Sequence, residues 1–297
     1  MLIIFSITNG VSAAMTSANY EINFDAITSG GTDFSSSTNF QLSDTVGEQG
    51  TGYGDSSNYM LHAGYRQTDE EPFQPTLEFI LGAQNESSQT EYTALSIAGN
   101  TVTVADESPF ATGSRIGVVE NQGLNLIAVV GKIVSIASNV ITVDKWDGQT
   151  GSISASPAGG DDYVYLMNSY SVGLGLVTQS GTAGIVMAEV STNATNGYTL
   201  QVQAHDSLKS GVVDVIDYVA DGSVTAGEEE YGASVHGLTA TSTGFDFPMN
   251  TNYRDIQKSD TIAEADRVSM IYKLSVDSLT NAGNYQQSVR YLLTANF

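Results

Sequence analysis

The sequence predicts an all-β chain: a β-sandwich with an inserted small β-barrel, preceded by a strand-rich N-terminal arm. Three observations predict it. Helical periodicity is almost absent, and only residues 262–267 have the spacing of a short helical turn. Runs of Val, Ile, Thr and Tyr are broken at short intervals by Gly, Asn, Asp and Ser, as strands are broken by turns. Two short motifs also recur, one three times and one twice, each on the scale of a hairpin.

Residues 1–14 resemble the end of an export leader. An apolar stretch, Leu2-Ile3-Ile4-Phe5-Ser6-Ile7, is followed by Val11-Ser12-Ala13-Ala14, with small residues placed for cleavage after Ala13. The first basic residue is Arg66, so the usual positive flank is missing. If the segment is retained, residues 2–7 form a strongly β-prone strand in need of a partner.

Residues 15–67 are the arm. It repeats Ser-x-Asn-Tyr/Phe-x-Ile/Leu as Ser17-Ala18-Asn19-Tyr20-Glu21-Ile22, Ser37-Thr38-Asn39-Phe40-Gln41-Leu42 and Ser56-Ser57-Asn58-Tyr59-Met60-Leu61. Each copy alternates polar with apolar residues, the period of a strand with one wet and one buried face. Between copies lie Ser, Gly, Thr and Asp, which cannot fill a core. The arm is therefore expected to lie against something else, with Tyr20, Ile22, Phe24 and Ile27 as the inserted side chains.

Residues 68–75 read as a linker, since Asp69, Glu70, Glu71, Pro72 and Pro75 suit neither sheet nor helix. Residues 76–94 and 168–297 are assigned to the sandwich. Residues 95–167 are assigned to the barrel, because Ser96-Ile97-Ala98-Gly99-Asn100-Thr101-Val102-Thr103-Val104 recurs as Ser135-Ile136-Ala137-Ser138-Asn139-Val140-Ile141-Thr142-Val143. Both copies read as tight hairpins, and closing several short strands on themselves removes exposed edges. The sandwich shows its alternation in Gly184-Ile185-Val186-Met187-Ala188-Glu189-Val190 and in Ser269-Met270-Ile271-Tyr272-Lys273-Leu274-Ser275-Val276.

Composition bounds the function. The chain has 297 residues, with 10 Lys+Arg against 33 Asp+Glu, for a net charge of −23. That balance argues against nucleic acid and against anionic membrane surfaces, both of which require a basic face. It suits a self-repelling surface or one that attracts divalent cations. Cysteine is absent, which excludes disulfides, thiolate metal sites and cysteine nucleophiles. No apolar run is long enough to span a bilayer.

No catalytic constellation stands out. There is no Gly-x-Ser-x-Gly elbow, His-Glu-x-x-His or phosphate loop, and His62, His205 and His236 have no ligand spacing. The chain is expected not to be an enzyme. Calcium is the one cofactor the pattern admits. Residues 217–228 overlay an EF-hand loop, with Asp217, Asp221 and Glu228 as ligands and Gly222 at the sharp turn. Val219 replaces a ligand, no flanking helices are expected, and the competing reading is a solvated loop. Lys273, on a core strand, is the candidate for an intramolecular Lys–Asn bond of the kind found in some pilus sandwiches, which would need the lysine buried near a carboxylate. An outward-facing lysine is its ordinary alternative.

Two stretches carry a resemblance. Val190-Ser191-Thr192-Asn193-Ala194-Thr195-Asn196-Gly197-Tyr198-Thr199-Leu200, with the terminal Ala282-Gly283-Asn284-Tyr285 and Tyr291-Leu292-Leu293-Thr294-Ala295-Asn296-Phe297, resembles bacterial surface sandwiches. These include WxL-type domains and related pilus-type or surface proteins of candidate-phyla bacteria, and the Ser-x-Asn-Tyr repeats are similar to the same group. The resemblance implies an Ig-like or jelly-roll sandwich on a secreted, cell-surface protein. The Trp-x-Leu signature is absent, since the single tryptophan, Trp146, precedes Asp147-Gly148. The inserted piece resembles small barrel modules of phage and surface proteins.

The expected function is a structural subunit of an extracellular filament or surface array, whose partners are copies of itself. The alternative is a monomeric adhesin that contacts the cell envelope or host glycans through the barrel. Its site would be an exposed aromatic cluster of Trp146, Tyr163 and Tyr165. Nothing at the C-terminus reads as a sorting signal or anchor, which favours retention at the surface by copies of the chain.

Overall fold

The computed structural model describes residues 75–297 apart from residue 158, together with strand segments between residues 15 and 63. The chain divides into two compact units between Gln74 and Pro75.

In the first unit the described segments are three antiparallel hairpins. They are β1 (Met15–Thr16) with β2 (Glu21–Ile22), β3 (Gly30–Ser36) with β4 (Gln41–Val46), and β5 (Gly52–Ser56) with β6 (Tyr59–Ala63). The last residues of each Ser-x-Asn repeat open the second strand of a hairpin. Among the described residues, each hairpin pairs only within itself. The leader-like segment, the linker, and the candidate insertion residues Tyr20, Phe24 and Ile27 lie outside the described residues; Ile22 lies in β2.

The second unit is nearly all β, as expected. Its strands are β7 (Leu77–Gln84), β8 (Thr90–Ser96), β9 (Thr101–Val104), β10 (Arg115–Glu120), β11 (Ile127–Ala137), β12 (Val140–Val143), β13 (Asp147–Gly148) and β14 (Tyr163–Ser169). They continue with β15 (Thr182–Thr192), β16 (Tyr198–Ala204), β17 (Lys209–Ser210), β18 (Asp214–Val215), β19 (Glu230–His236), β20 (Phe247–Pro248), β21 (Arg254–Ser259), β22 (Ala263–Ser275) and β23 (Val289–Ala295).

Six of these close a barrel. The order β10-β11-β12-β9-β8-β14 returns to its start because β14 also pairs with β10, from Ile116↔Leu166 to Val119↔Tyr163. The ring begins at Thr90, so all of β8 belongs to the barrel although it starts before residue 95. The repeated hairpins pack as a pseudo-two-fold pair. Their second strands pair antiparallel, Val102 opposite Ile141, and Asn100 O accepts from Val143 N while Asn139 O accepts from Val104 N. Ser138 and Asn139 both have positive φ (53° and 65°), the twist a two-residue hairpin turn needs. Asn100 supplies the matching positive φ (54°) in the other copy, at the end of a longer turn.

Two sheets form the sandwich. One runs β7-β15-β22-β19-β20 and the other β21-β16-β23. Tyr198, Leu200, Val202 and Ile256 meet Val186, Ala188, Met270 and Tyr272 between them, and Tyr272 Oη shares a 2.7 Å hydrogen bond with Tyr291 Oη. The barrel covers the opposite face of the larger sheet, where Val119, Ala128, Val130, Tyr165 and Met167 pack on Ala183, Ile185, Met187 and Ile271. Three layers result, with β15 and β22 in the middle. Burial on both faces is why residues 183–190 of β15 are all buried, a run apolar except for Glu189.

One element departs from expectation. Residues 262–267 form no helical turn; from Ala263 onward they open β22. The helix-like spacing reflects a bulge opposite Val190 and Thr192, where Ala265 takes φ 50° and its N–H donates to Ser191 Oγ.

Candidate functional site

The acidic loop read as a calcium site has a different role. Asp217, Asp221 and Glu228 are all exposed, and among the described residues no group of three His, Asp or Glu side chains stands close enough to hold a metal ion. Asp221 Oδ1 is taken up by Ser223 N at 3.0 Å, an Asx turn. Val219, at the position where a ligand was missing, is buried instead and lies over Gly232 of β19. The loop is a cover. Val224 N donates to Asp246 Oδ2 (3.0 Å), Thr225 N to Glu230 Oε2 (2.9 Å) and Gly227 N to Ser275 Oγ (3.1 Å).

Under that cover sits an ion pair between a half-buried lysine and a buried carboxylate. Lys273 Nζ lies 3.0 Å from Asp246 Oδ1 and 3.2 Å from Oδ2, with the two side chains 17% and 5% exposed. Lys273 is opposite Gly232 in β19, and Gly232 is opposite Pro248 in β20. The lysine stem therefore crosses β19 where no side chain blocks it. Glu230 stands on the same face of β19, opposite Ser275. Burial raises the Glu230 carboxyl above its ordinary value. The Thr225 N–H opposes this, and the negative charges of Asp221, Glu228 and Asp246 add to it. Sequence reading singled out Lys273 but not its partner, because Asp246 lies in a loop far along the chain.

A second charged cluster fastens the barrel to the sandwich. Arg267 is fully buried on the barrel-facing side of β22. Its Nε donates to Glu189, its cross-strand neighbour, and its Nη1 and Nη2 grip Asp144 at 2.9 and 2.5 Å. Arg115, from β10, holds Glu189 Oε1 at 2.6 Å. Burial pushes the Glu189 and Asp144 carboxyls up, but the arginine hydrogen bonds and charges outweigh it and hold both below their ordinary values. Asp147 goes the other way, raised by burial despite Lys145 and Arg267. The bidentate geometry fixes an orientation, so the cluster acts as a clasp between layers.

The aromatic cluster expected on the barrel surface is core. Trp146 packs inside the barrel, Tyr165 is fully buried at the seam with its hydroxyl on Gln122, and Tyr163 meets Tyr165 edge-on. None of the three forms an exposed platform. Position relative to the barrel wall decided this, and no local signal in the sequence reports it.

The remaining feature is an open edge. β23 pairs with β16 on one side and carries no pairing on the other among the described residues. Ser288 O accepts from His205 N and Asn296 N donates to Gly197 O, so the even-numbered residues of β23 face β16. Backbone N–H and C=O groups of Val289, Tyr291, Leu293 and Ala295 consequently point outward. The side chains of Val289, Tyr291 and Leu293 pack on the sandwich core yet stay only half-buried.

Comparison with family models, with curated proteins and with solved structures finds no match. Among the described residues no helix is long and apolar enough to cross a membrane.

Proposed function

We propose that the chain is a secreted structural subunit of an extracellular filament or surface array. In this reading the arm of one copy adds a strand to β23 of the next. The observation that carries it is the open edge of β23, with four residues' worth of outward backbone groups above an incompletely covered core. Backbone hydrogen bonds along such an edge supply affinity, and alternate apolar side chains supply register. Tyr20, Ile22 and Phe24 have the same two-residue spacing as the half-buried Val289, Tyr291 and Leu293. A head-to-tail contact of this kind does not close on itself and generates fibres. The net charge of −23 keeps free subunits apart until the specific contact forms.

Negative-stain electron microscopy of the full chain tests the reading. Filaments are expected from the wild type. Ala295→Pro, which removes an outward N–H from β23, and Phe24→Asp in the arm should each leave discrete particles. Discrete wild-type particles at every concentration would overturn it.

One observation favours the adhesin alternative: an open polar groove of about 670 Å³ lined by Asn121, Gln122, Asn125, Asp161, Ser180 and Thr225. Its amides and hydroxyls suit a hydroxylated ligand such as a glycan. Calorimetric titration with neutral oligosaccharides decides it, since heat of binding from a non-assembling chain would move the assignment to this groove.

A further inference from the structure

We propose that one end of the barrel interior binds a hard divalent cation of the calcium class between the carboxylates of Glu120 and Asp162, with the Tyr92 hydroxyl bonded to a water on the ion. The three residues lie in one row across neighbouring strands. Val119 is opposite Tyr163 in the β10–β14 pair, and Tyr163 is opposite Glu91 in the β14–β8 pair. One step along, the same register sets Glu120 opposite Asp162 and Asp162 opposite Tyr92. Side chains alternate along a strand, so all three share the face of Val118 and Val164, which are barrel core. Glu120 is 8%, Asp162 3% and Tyr92 2% exposed.

Two carboxylates directly opposite one another repel, and burial removes the water that would screen them. Backbone N–H groups hold both in place. Ser154 N donates to Glu120 Oε2 (2.5 Å), while Asn121 N and Gly159 N donate to Asp162 Oδ1 and Oδ2 (2.9 and 3.2 Å). These neutral donors orient the carboxylates but bring no positive charge. The second observation is Tyr92 Oη, a buried phenol without a hydrogen-bond partner, where such groups ordinarily have one. Burial holds this hydroxyl protonated well above its ordinary value, and the charges of Asp162 and Glu120 add to the effect, so both carboxylates act on it. A cation carrying water satisfies all three groups: the ion takes the carboxylates and its water takes the phenol. An all-oxygen set selects a hard ion over zinc or copper. Asn121 and Asp161, each one residue from a carboxylate of the pair, line the open groove, which gives the ion a short way in from solvent. Two carboxylates completed by water are a weak set, with a dissociation constant of about 10⁻⁴–10⁻³ M expected, as in extracellular calcium modules. The inference does not rest on filament assembly, and the exposed acids of residues 217–228 take no part in it.

Calcium titration of the full chain tests the site, at about 0.15 M salt so that the acidic surface is screened. At ten times the dissociation constant the wild-type melting temperature should rise by about 3–6 °C. Terbium, which replaces calcium at oxygen sites, should give emission sensitised through Tyr92. Glu120→Gln keeps an oxygen for the Ser154 N–H but removes one of the opposed charges. In chelator it should melt at or above the wild type, which shows that it folds; in calcium it should gain nothing and give no sensitised emission. Tyr92→Phe should lower calcium affinity about tenfold, as loss of an outer-shell partner does. Asp221→Asn, in the exposed loop, should bind as the wild type does. A wild type with neither a calcium-dependent shift nor terbium emission overturns the proposal, and a gain in stability on acidification would then mean that the two carboxylates share a proton instead. Binding that survives Glu120→Gln also overturns it, because the ion would then belong to the acidic surface.

Discussion

Replacing Arg267 by Met removes the charge at the centre of the clasp while keeping most of its apolar stem. Three hydrogen bonds go: one to Glu189 and two to Asp144. The acceptors are not equally harmed. Asp144 is 31% exposed and keeps the backbone N–H groups of Lys132 and Lys145, whereas Glu189 is 6% exposed and is left with Arg115 alone. Removing one partner of a buried ion pair costs about 3–5 kcal/mol, mainly through the stranded charge. With Glu189 still half-compensated, about 4 kcal/mol is expected, and at ~2–4 °C per kcal/mol for a unit of this size the melting temperature falls by about 8–16 °C. The pH dependence gives the sharper test. In the wild type, Glu189 and Asp144 titrate below their unfolded values, so their stabilisation is present above the ordinary carboxylate range and is lost as pH falls through the lowered native values. In the variant, Glu189 loses the share of its compensation that Arg267 supplied, and protonation relieves the remainder of the stranded charge. The difference between the two proteins should therefore shrink between about pH 7 and pH 4, measured by urea unfolding across that range. A loss under about 1 kcal/mol, the value of an exposed pair, would refute the clasp, as would a deficit that stays constant with pH.

Other outcomes follow from the same packing. Gly82→Ala should destabilise by about 3 kcal/mol or more, read as a drop in denaturation midpoint, because its Cβ would meet the backbone carbonyl of Met167 where β14 joins β7. Ser138→Val should cost roughly 1–2 kcal/mol in the same assay, since a β-branched residue is strained at φ 53°, while Asn139→Gly should be nearly neutral. Trp146, 7% exposed inside the barrel, should show blue-shifted emission and resist iodide quenching, with no change on adding sugars. Emission at the wavelength of hydrated indole would contradict the barrel packing.

Much of the fold was legible because its signals are local. Alternation in residues 184–190 and 269–276 marks strands directly, and the Ser-Asn repeat places positive φ at Ser138 and Asn139. Even the barrel was foreshadowed by that repeat. The failures share a cause. Residues 262–267 mimic helical spacing because a bulge at Ala265 shifts the phase of an otherwise regular strand, and the bulge is defined by Ser191 on another strand. The loop at 217–228 has the acids of a calcium site, but where their side chains end up depends on the sheet it covers.

By itself, then, the sequence determined the all-β character, the hairpin turns, the acidic surface and the absence of thiol chemistry. These depend on residues within a few positions of one another or on composition alone. The tertiary structure decided the rest: that β14 returns to β10 to close the ring, that the barrel lies against the outer face of the sandwich, and that Trp146 and Tyr165 are core. It also decided that Arg267 is clasped by Asp144 from a distant loop, and that Lys273 meets Asp246 across Gly232. Such pairings are set by which buried surfaces fit each other once the strands exist, and no local pattern along the chain encodes that fit.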